Sequence, residues 1–464
     1  MMTSALLSAY QKYREPTLNQ RRFSQKDIQP LIDRHSTKGV LKVKTVGHSV
    51  QGRPLHLLSF GDGPVSIFLW SQMHGNESTA TMALFDLFNF LNGLSDEFEE
   101  TRELLRTQTT LHFLPMVNPD GVEVYKRRNA LDIDLNRDAL TCAAPESQIL
   151  KQIRERIQAD WGFNLHDQQI YYNVSGTPAP ATISVLAPPY DESRSINTSR
   201  KEAMQLIVEI NELLQEIIPG QVGKYEDTFE PRAFGDNFQK WGTRTILIES
   251  GGYKGDPEKQ YIRQLNFMAI LHALNSIASK NFQKANAESY QSIPDNDLKL
   301  ADLIIRKASL NHLGKKISVD IGIKRLEVES ARDFTTFGQI FDLGDLSTYF
   351  GYEEFEASGY EVIRGSIYPE SIAYLHELST EMALSLVKKG YLAVKVENEG
   401  RGGSHHLPIN ILSAETSIDF SLNFEGPANF LLHDGKEISH AVVNGYLIHL
   451  NTGDLPPYYK NNIV

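Results

Sequence analysis

"VSIFLWSQMHGNESTAT", residues 65–81, runs from an apolar stretch into a polar turn and on into helix-forming sequence. An apolar run of this length, bounded by turn residues, suits a strand buried on both faces. Such a strand ends in a turn, and a turn by itself has no use for an imidazole and a carboxylate. Here only Gly75 and Asn76 separate His74 from Glu77. On a turn leaving a strand, that spacing can bring both side chains into one cavity, as two of the N and O donors that zinc accepts. Ser78 or Thr79 then serves as N-cap of the helix that follows. His-x-x-Glu alone arises often by chance, so its meaning depends on partners elsewhere in the chain.

Around this stretch the chain reads as alternating strands and helices. "TTLHFLP" (109–115), "WGFNLHD" (161–167) and "TRTILIES" (243–250) read as further buried strands or strand ends. Residues 78–94, 145–157, 199–217 and 257–277 carry apolar residues at helical spacing. Strands alternating with helices imply an α/β layered domain with a largely parallel or mixed sheet, whose ligands sit beyond the strand C-termini. We expect a helical lead-in over residues 1–40, outside the core, and a catalytic-type domain over 41–285. A polar break near 279–297 precedes a β-rich accessory domain at 290–464, with one helix over 369–390.

The totals bound the function classes. A chain of 464 residues is long enough for two domains, and 41% hydrophobic with 22% charged residues is an ordinary globular composition. A net charge of -12 argues against a nucleic-acid surface. The single cysteine, Cys142, excludes an intramolecular disulfide and a thiolate cluster, so any metal would be held by His and carboxylates. The opening sixteen residues carry no signal-peptide pattern and no stretch approaches the roughly 20 apolar residues of a membrane span, so a cytoplasmic protein is expected.

Candidate partners for His74 and Glu77 stand at the other strand ends. A catalytic zinc takes three protein ligands and keeps a position open. His166 ends the strand "WGFNLHD" and can reach the same sheet edge, although it also reads as an ordinary strand-end histidine. Asp167 beside it could orient a ring or a zinc-bound water. Glu249 ends "TILIES", where a carboxylate is costly unless a cleft or a partner accommodates it. A general base needs such a place, and so does a plain ion pair. "NPDG" (118–121) is a turn by its chemistry. Asn136 and Arg137, at the end of "DIDLNR", could clamp a carboxylate bidentately. Arg127 lies upstream in "KRR", which otherwise reads as a solvated basic loop.

Taken in order, "HGNE", "NPDG", Arg127, "DLNR", "LHD" and "IESGG" resemble the zinc carboxypeptidase family of the carboxypeptidase A type over roughly residues 40–280. The resemblance implies an α/β/α sandwich around a mixed, mostly parallel eight-stranded sheet. It implies one Zn2+ per chain on His74, Glu77 and His166, and Glu249 as general base for a zinc-activated water. Arg127 would stabilise the oxyanion, and Asn136 and Arg137 would grip the substrate's terminal carboxylate. Tyr225 stands nearest the family's substrate-facing tyrosine, with Tyr253 and Tyr171 as alternatives. Arg232 and Asp236, in the stretch that shapes the family's side-chain pocket, would either read a charged substrate or pair with each other.

The implied function is a zinc metallocarboxypeptidase acting on the C-terminal bond of peptides, cell-wall or other small peptides among them. Two alternatives remain at this stage. "HGNE" and "DLNR" also occur in the aspartoacylase and succinylglutamate desuccinylase group, whose members deacylate N-acyl amino acids. A binding protein with a vestigial site is the third reading. Either way the expected partner is a peptide or a small carboxylate-bearing molecule, with neither nucleic acid nor membrane. The β-rich, β-sandwich-like C-terminal domain would wall the cleft or mediate self-association. Its adjacent His405 and His406 would diverge on a strand, and a loop is the expected location.

Overall fold

The computed structural model describes residues 2–328, 335–398 and 403–463, and the chain divides into two units, Met1–Leu298 and Lys299–Val464. The first unit carries strands β1 (Lys42–His48), β2 (Pro54–Phe60), β3 (Val65–Ser71), β4 (Thr109–Leu114), β5 (Trp161–Asp167), β6 (Asn173–Val174), β7 (Ile183–Leu186), β8 (Val222–Lys224), β9 (Arg244–Ser250) and β10 (Asn296–Asp297). Its helices are α1 (Thr3–Tyr13), α2 (Gln25–Lys38), α3 (Thr79–Leu91), α4 (Glu99–Gln108), α5 (Pro119–Val124), α6 (Pro145–Ile157), α7 (Thr198–Ile217), α8 (Phe234–Lys240) and α9 (Gln260–Ser279). All strands but β6 and β10 join one eight-stranded sheet of order β1-β2-β4-β3-β5-β9-β7-β8. β4, β3, β5 and β9 run parallel at its centre, and antiparallel pairings join β1–β2–β4 on one side and β9–β7 on the other.

The continuous apolar run of β3 follows from this placement, because a central parallel strand is covered on both faces. Ile67 and Leu69 enter the large core under α1, α2, α3, α7 and α9, whereas Phe68 and Trp70 face the opposite core with Leu150 of α6 and Phe238 of α8. The fold is thus an α/β/α sandwich on a mixed sheet. His166 and Glu249 lie directly opposite each other in the β5–β9 register, so one strand spacing of about 4.8 Å separates their backbones.

Residues 1–40 do not stand outside the core as a lead-in. Leu6, Ala9 and Tyr10 of α1 and Ile28, Leu31 and Ile32 of α2 are buried in the same cluster as α3 and α9. Their apolar residues recur at three to four positions among polar ones, a face that helices use when packed on a larger body. Arg263 of α9 seals this junction: fully buried, it binds Asp86 of α3 (Nε to Oδ2, 2.7 Å) and donates to the carbonyl of Glu15 at 2.8 Å.

The second unit is strand-rich. It holds an eight-stranded sheet, built on the hairpin of Leu300–His312 and Lys315–Glu327, and a four-stranded sheet around Tyr391–Asn398. Along the strand Phe430–His433, Phe430 and Leu432 enter one core while Leu431 enters the other. Period-two alternation therefore places this strand between two apolar layers. The helix expected over 369–390 is confined to Thr380–Lys388, capped by the Ser379 side chain on the Met382 N–H. The preceding Ile372–Tyr374 is a strand parallel to Tyr391–Asn398, in keeping with the β preference of Ile and Tyr. His405 lies on the two-residue strand Ser404–His405, and His406 turns away to the carbonyl of Tyr459. Residues 329–334 and 399–402 of the expected β-rich domain lie outside the described residues. No helix among the described residues is long and apolar enough to cross a membrane.

Candidate metal centre

The parallel strands deliver their C-terminal ends to one edge, and the chemistry-bearing side chains gather there. β3 ends at Ser71 and the chain turns at once, presenting His74 and Glu77 before α3 begins. Gly75 is required in this turn: a Cβ there would lie 2.1 Å from the Gly121 carbonyl carbon, so HGNE and NPDG pack backbone to backbone. "NPDG" is more than a turn. Asn118 caps α5 by accepting from the Gly121 N–H at 2.9 Å, and its amide donates to the Arg127 carbonyl at 3.3 Å, setting the arginine's position. Ser78 takes the N-cap position of α3, as expected, but its side chain donates to the Arg21 carbonyl instead of capping the helix.

His74, Glu77 and His166 are buried and offer ligand atoms within 4.8 Å of one another. Glu77 bridges the imidazoles, with Oε1 2.7 Å from His74 Nδ1 and Oε2 2.7 Å from His166 Nδ1. A carboxylate oxygen that close to a ring nitrogen needs a proton shared between them or a cation that both ligate. For His74 the metal fits better. Its Nε2 lies 3.1 Å from Asp134 Oδ1 and carries the ring proton there, while Nδ1 faces the Arg127 guanidinium at 3.1 Å as a lone pair would. Two imidazoles and a carboxylate, one ring fixed from behind by a second carboxylate, make a donor set suited to Zn2+.

Electrostatics follow from burial. Glu77 is held well below the usual carboxylate range, because His74 and His166 outweigh its desolvation. Burial pulls His74 down, but Glu77 and Asp134 reverse the effect and raise it, whereas burial prevails at His166 and lowers it. Glu249 is pushed well above the usual range by burial first and then by the charges of Glu77 and Asp167. Its Oε2 is buried with no hydrogen-bond partner among the described residues, which leaves one carboxyl oxygen uncommitted.

Arg127 is half-exposed; its Nη1 reaches Glu77 Oε1 at 3.3 Å, and its Nε and Nη2 reach Asp134 Oδ2 at 3.1 Å. Tyr225, half-buried and raised by desolvation and by Glu249, packs against Tyr172 with ring centroids 5.9 Å apart and planes tilted by 51°. Asn136 and Arg137 adjoin the segment before α8: Asn136 Oδ1 accepts from the Phe234 N–H at 2.9 Å, and Arg137 Nε meets Glu230 at 3.3 Å. Arg232 and Asp236 do not pair. Arg232 takes the Glu230 carboxylate through two contacts of 3.0 Å, and Asp236 accepts the Glu230 N–H at 3.1 Å. Burial raises Asp236 to about 7. The Asp167 side chain does not orient a ring; it turns to Lys259 Nζ at 3.1 Å and Thr79 Oγ1 at 2.6 Å.

Asp134 is the residue that sequence reasoning missed. It lies inside "DIDLNR", and the need of a metal-bound histidine for an acceptor at its second nitrogen would have singled it out.

Residues 31–177 match the family model described as zinc carboxypeptidase. The chain is similar to the carboxypeptidase N catalytic chain of Homo sapiens, 33% identical over 122 residues, covering 22% of this chain and 26% of that protein. It is also similar to the protein ZMO1242 of Zymomonas mobilis subsp. mobilis, 29% identical over 143 residues, covering 30% of this chain and 37% of that one. The matched segment thus spans well under half the length of either relative. Among solved structures, a metallo-carboxypeptidase from Burkholderia cenocepacia superposes with a TM-score of 0.44 at 18% identity, covering 55% of this chain and 70% of that chain. The HGNE turn, Arg127 and His166 all lie inside the segment that matches the zinc carboxypeptidase model.

Proposed function

We propose that this protein is a zinc metallocarboxypeptidase that releases the C-terminal residue of peptides. The observation that carries the reading is the meeting of His74, Glu77 and His166 with Glu249 and Arg127 at one sheet edge. When bound, zinc supplies the Lewis acidity that activates water and the scissile carbonyl. Glu249, with an unpartnered oxygen and a raised proton affinity, takes the proton from the attacking water and returns it to the leaving amine. The Arg127 guanidinium stabilises the oxyanion that develops in the transition state. Asn136, through its free amide N–H groups, and Arg137 hold the terminal carboxylate, with Tyr225 closing over the substrate. Asp236 gives basic C-terminal side chains an acceptor in the pocket, while Arg232 braces Glu230.

The test offers the zinc-loaded protein free-acid peptides, the same peptides amidated, and N-acyl amino acids, with Glu249→Gln as control and products read by mass spectrometry. Loss of single residues from free-acid peptides alone is the expected result, and Asp236→Ala erases any preference for basic residues. Cleavage confined to acyl amino acids would assign the site to deacylation. No zinc uptake and no cleavage would leave the reading without support.

A further inference from the structure

The residue after the ligand His166 and the residue after the base Glu249 share one restraint. Asp167 and Ser250 are register partners at the ends of β5 and β9, and Lys259, at the start of α9, reaches both. Its Nζ donates to Asp167 Oδ2 at 3.1 Å and to the Ser250 carbonyl at 3.0 Å. Lysine and aspartate side chains are 5% and 6% exposed, so this cation lies in the protein interior beside the metal centre. Asp167 also accepts from Thr79 Oγ1 at 2.6 Å, and its backbone N–H donates to Glu77 Oε2 at 3.2 Å. Lys259 holds φ 51° and ψ 31°, a left-handed conformation uncommon for residues other than glycine.

We infer that Lys259 is a positioning residue for the metal centre. It pins the ends of β5 and β9 together, fixing the separation of His166 from Glu249 and, through the Asp167 N–H, the orientation of the Glu77 carboxylate. The inference rests on the proposed roles of His166, Glu77 and Glu249. It differs from a purely structural ion pair in one respect. Two uncharged residues of similar volume would restore stability by removing both buried charges, but could not restore the pin.

The experiment compares wild type, Lys259→Met, the double variant Lys259→Met/Asp167→Asn, and Thr79→Val. Zinc affinity is read by competition with a chelating indicator, Tm by calorimetry, and kcat and KM on a free-acid peptide. Wild type is measured first: failure to bind zinc or cleave the peptide refutes the proposed function itself. The double variant is expected to recover the Tm lost by Lys259→Met. Its zinc affinity falls about tenfold and its kcat about 10- to 100-fold, with KM within about twofold because the carboxylate clamp is elsewhere. Thr79→Val loosens the same carboxylate without stranding a cation and lowers kcat about three- to tenfold, with a smaller loss of Tm than Lys259→Met. A folded double variant with wild-type kcat and zinc affinity overturns the inference. If the double variant does not fold, wild-type values for Thr79→Val overturn it.

Discussion

Replacing Asp134 with asparagine removes one charge and should disturb its contacts with three partners, His74, Asn136 and Arg127. Its Oδ1 takes the His74 Nε2 proton at 3.1 Å and the Asn136 N–H at 3.0 Å, and its Oδ2 takes the Arg127 Nε–H at 3.1 Å. An asparagine offers one acceptor oxygen, so it serves either the His74 side or the Arg127 side and sets an N–H donor against the other. If the amide faces His74, the imidazole loses the acceptor that fixes its tautomer and makes Nδ1 a better ligand. Loss of such a partner to a ligating histidine weakens metal binding about 10- to 100-fold, about 1.4 to 2.7 kcal/mol. The assay is zinc competition against a chelating indicator at pH 7.5, with His74→Ala as the complete-loss reference. Affinity within about twofold of wild type would refute the orienting role. A loss as severe as that of His74→Ala would refute it in the other direction, by making Asp134 a ligand.

Other outcomes follow from the same physics. Arg127→Ala should lower kcat about 10²- to 10³-fold with little change in KM, and a loss confined to KM would contradict its oxyanion role. Arg263→Met strands the buried Asp86 carboxylate and should cost about 3–5 kcal/mol in urea unfolding, most of it recovered by adding Asp86→Leu. His35 is fully buried, its Nδ1 accepts from Asn92, and desolvation lowers it from 6.5 to about 4. The folded state thus favours the neutral ring: this stability is fully present above pH 6.5 and is lost as pH falls through about 4. The loss amounts to about 3 kcal/mol. His35→Phe should flatten the fall in unfolding free energy between pH 6.5 and 4, and an unchanged slope would assign the acid sensitivity elsewhere.

The sequence alone determined the strand that opens the site. A short continuous apolar run bounded by turn residues suits a strand covered on both faces, and the histidine and glutamate in the turn after it gained meaning from the polar residues closing the other apolar strands. His166 and Glu249 were legible in the same way, as polar residues closing apolar strands. The first two helices were misplaced because their apolar residues are sparse, and only a large body to pack on makes such a face a core face. Residues 372–377 carry helix-compatible spacing, yet a parallel partner strand made part of them β.

Tertiary structure alone decided which charges neutralise which. Asp134 lies 60 residues from the ring it orients, Lys259 lies 92 residues from Asp167, and Arg232 turned from Asp236 to Glu230. Local sequence encodes the period of burial. The pairing of buried charges depends on which strand ends and loops the fold brings within about 3 Å, and no local pattern records that distance.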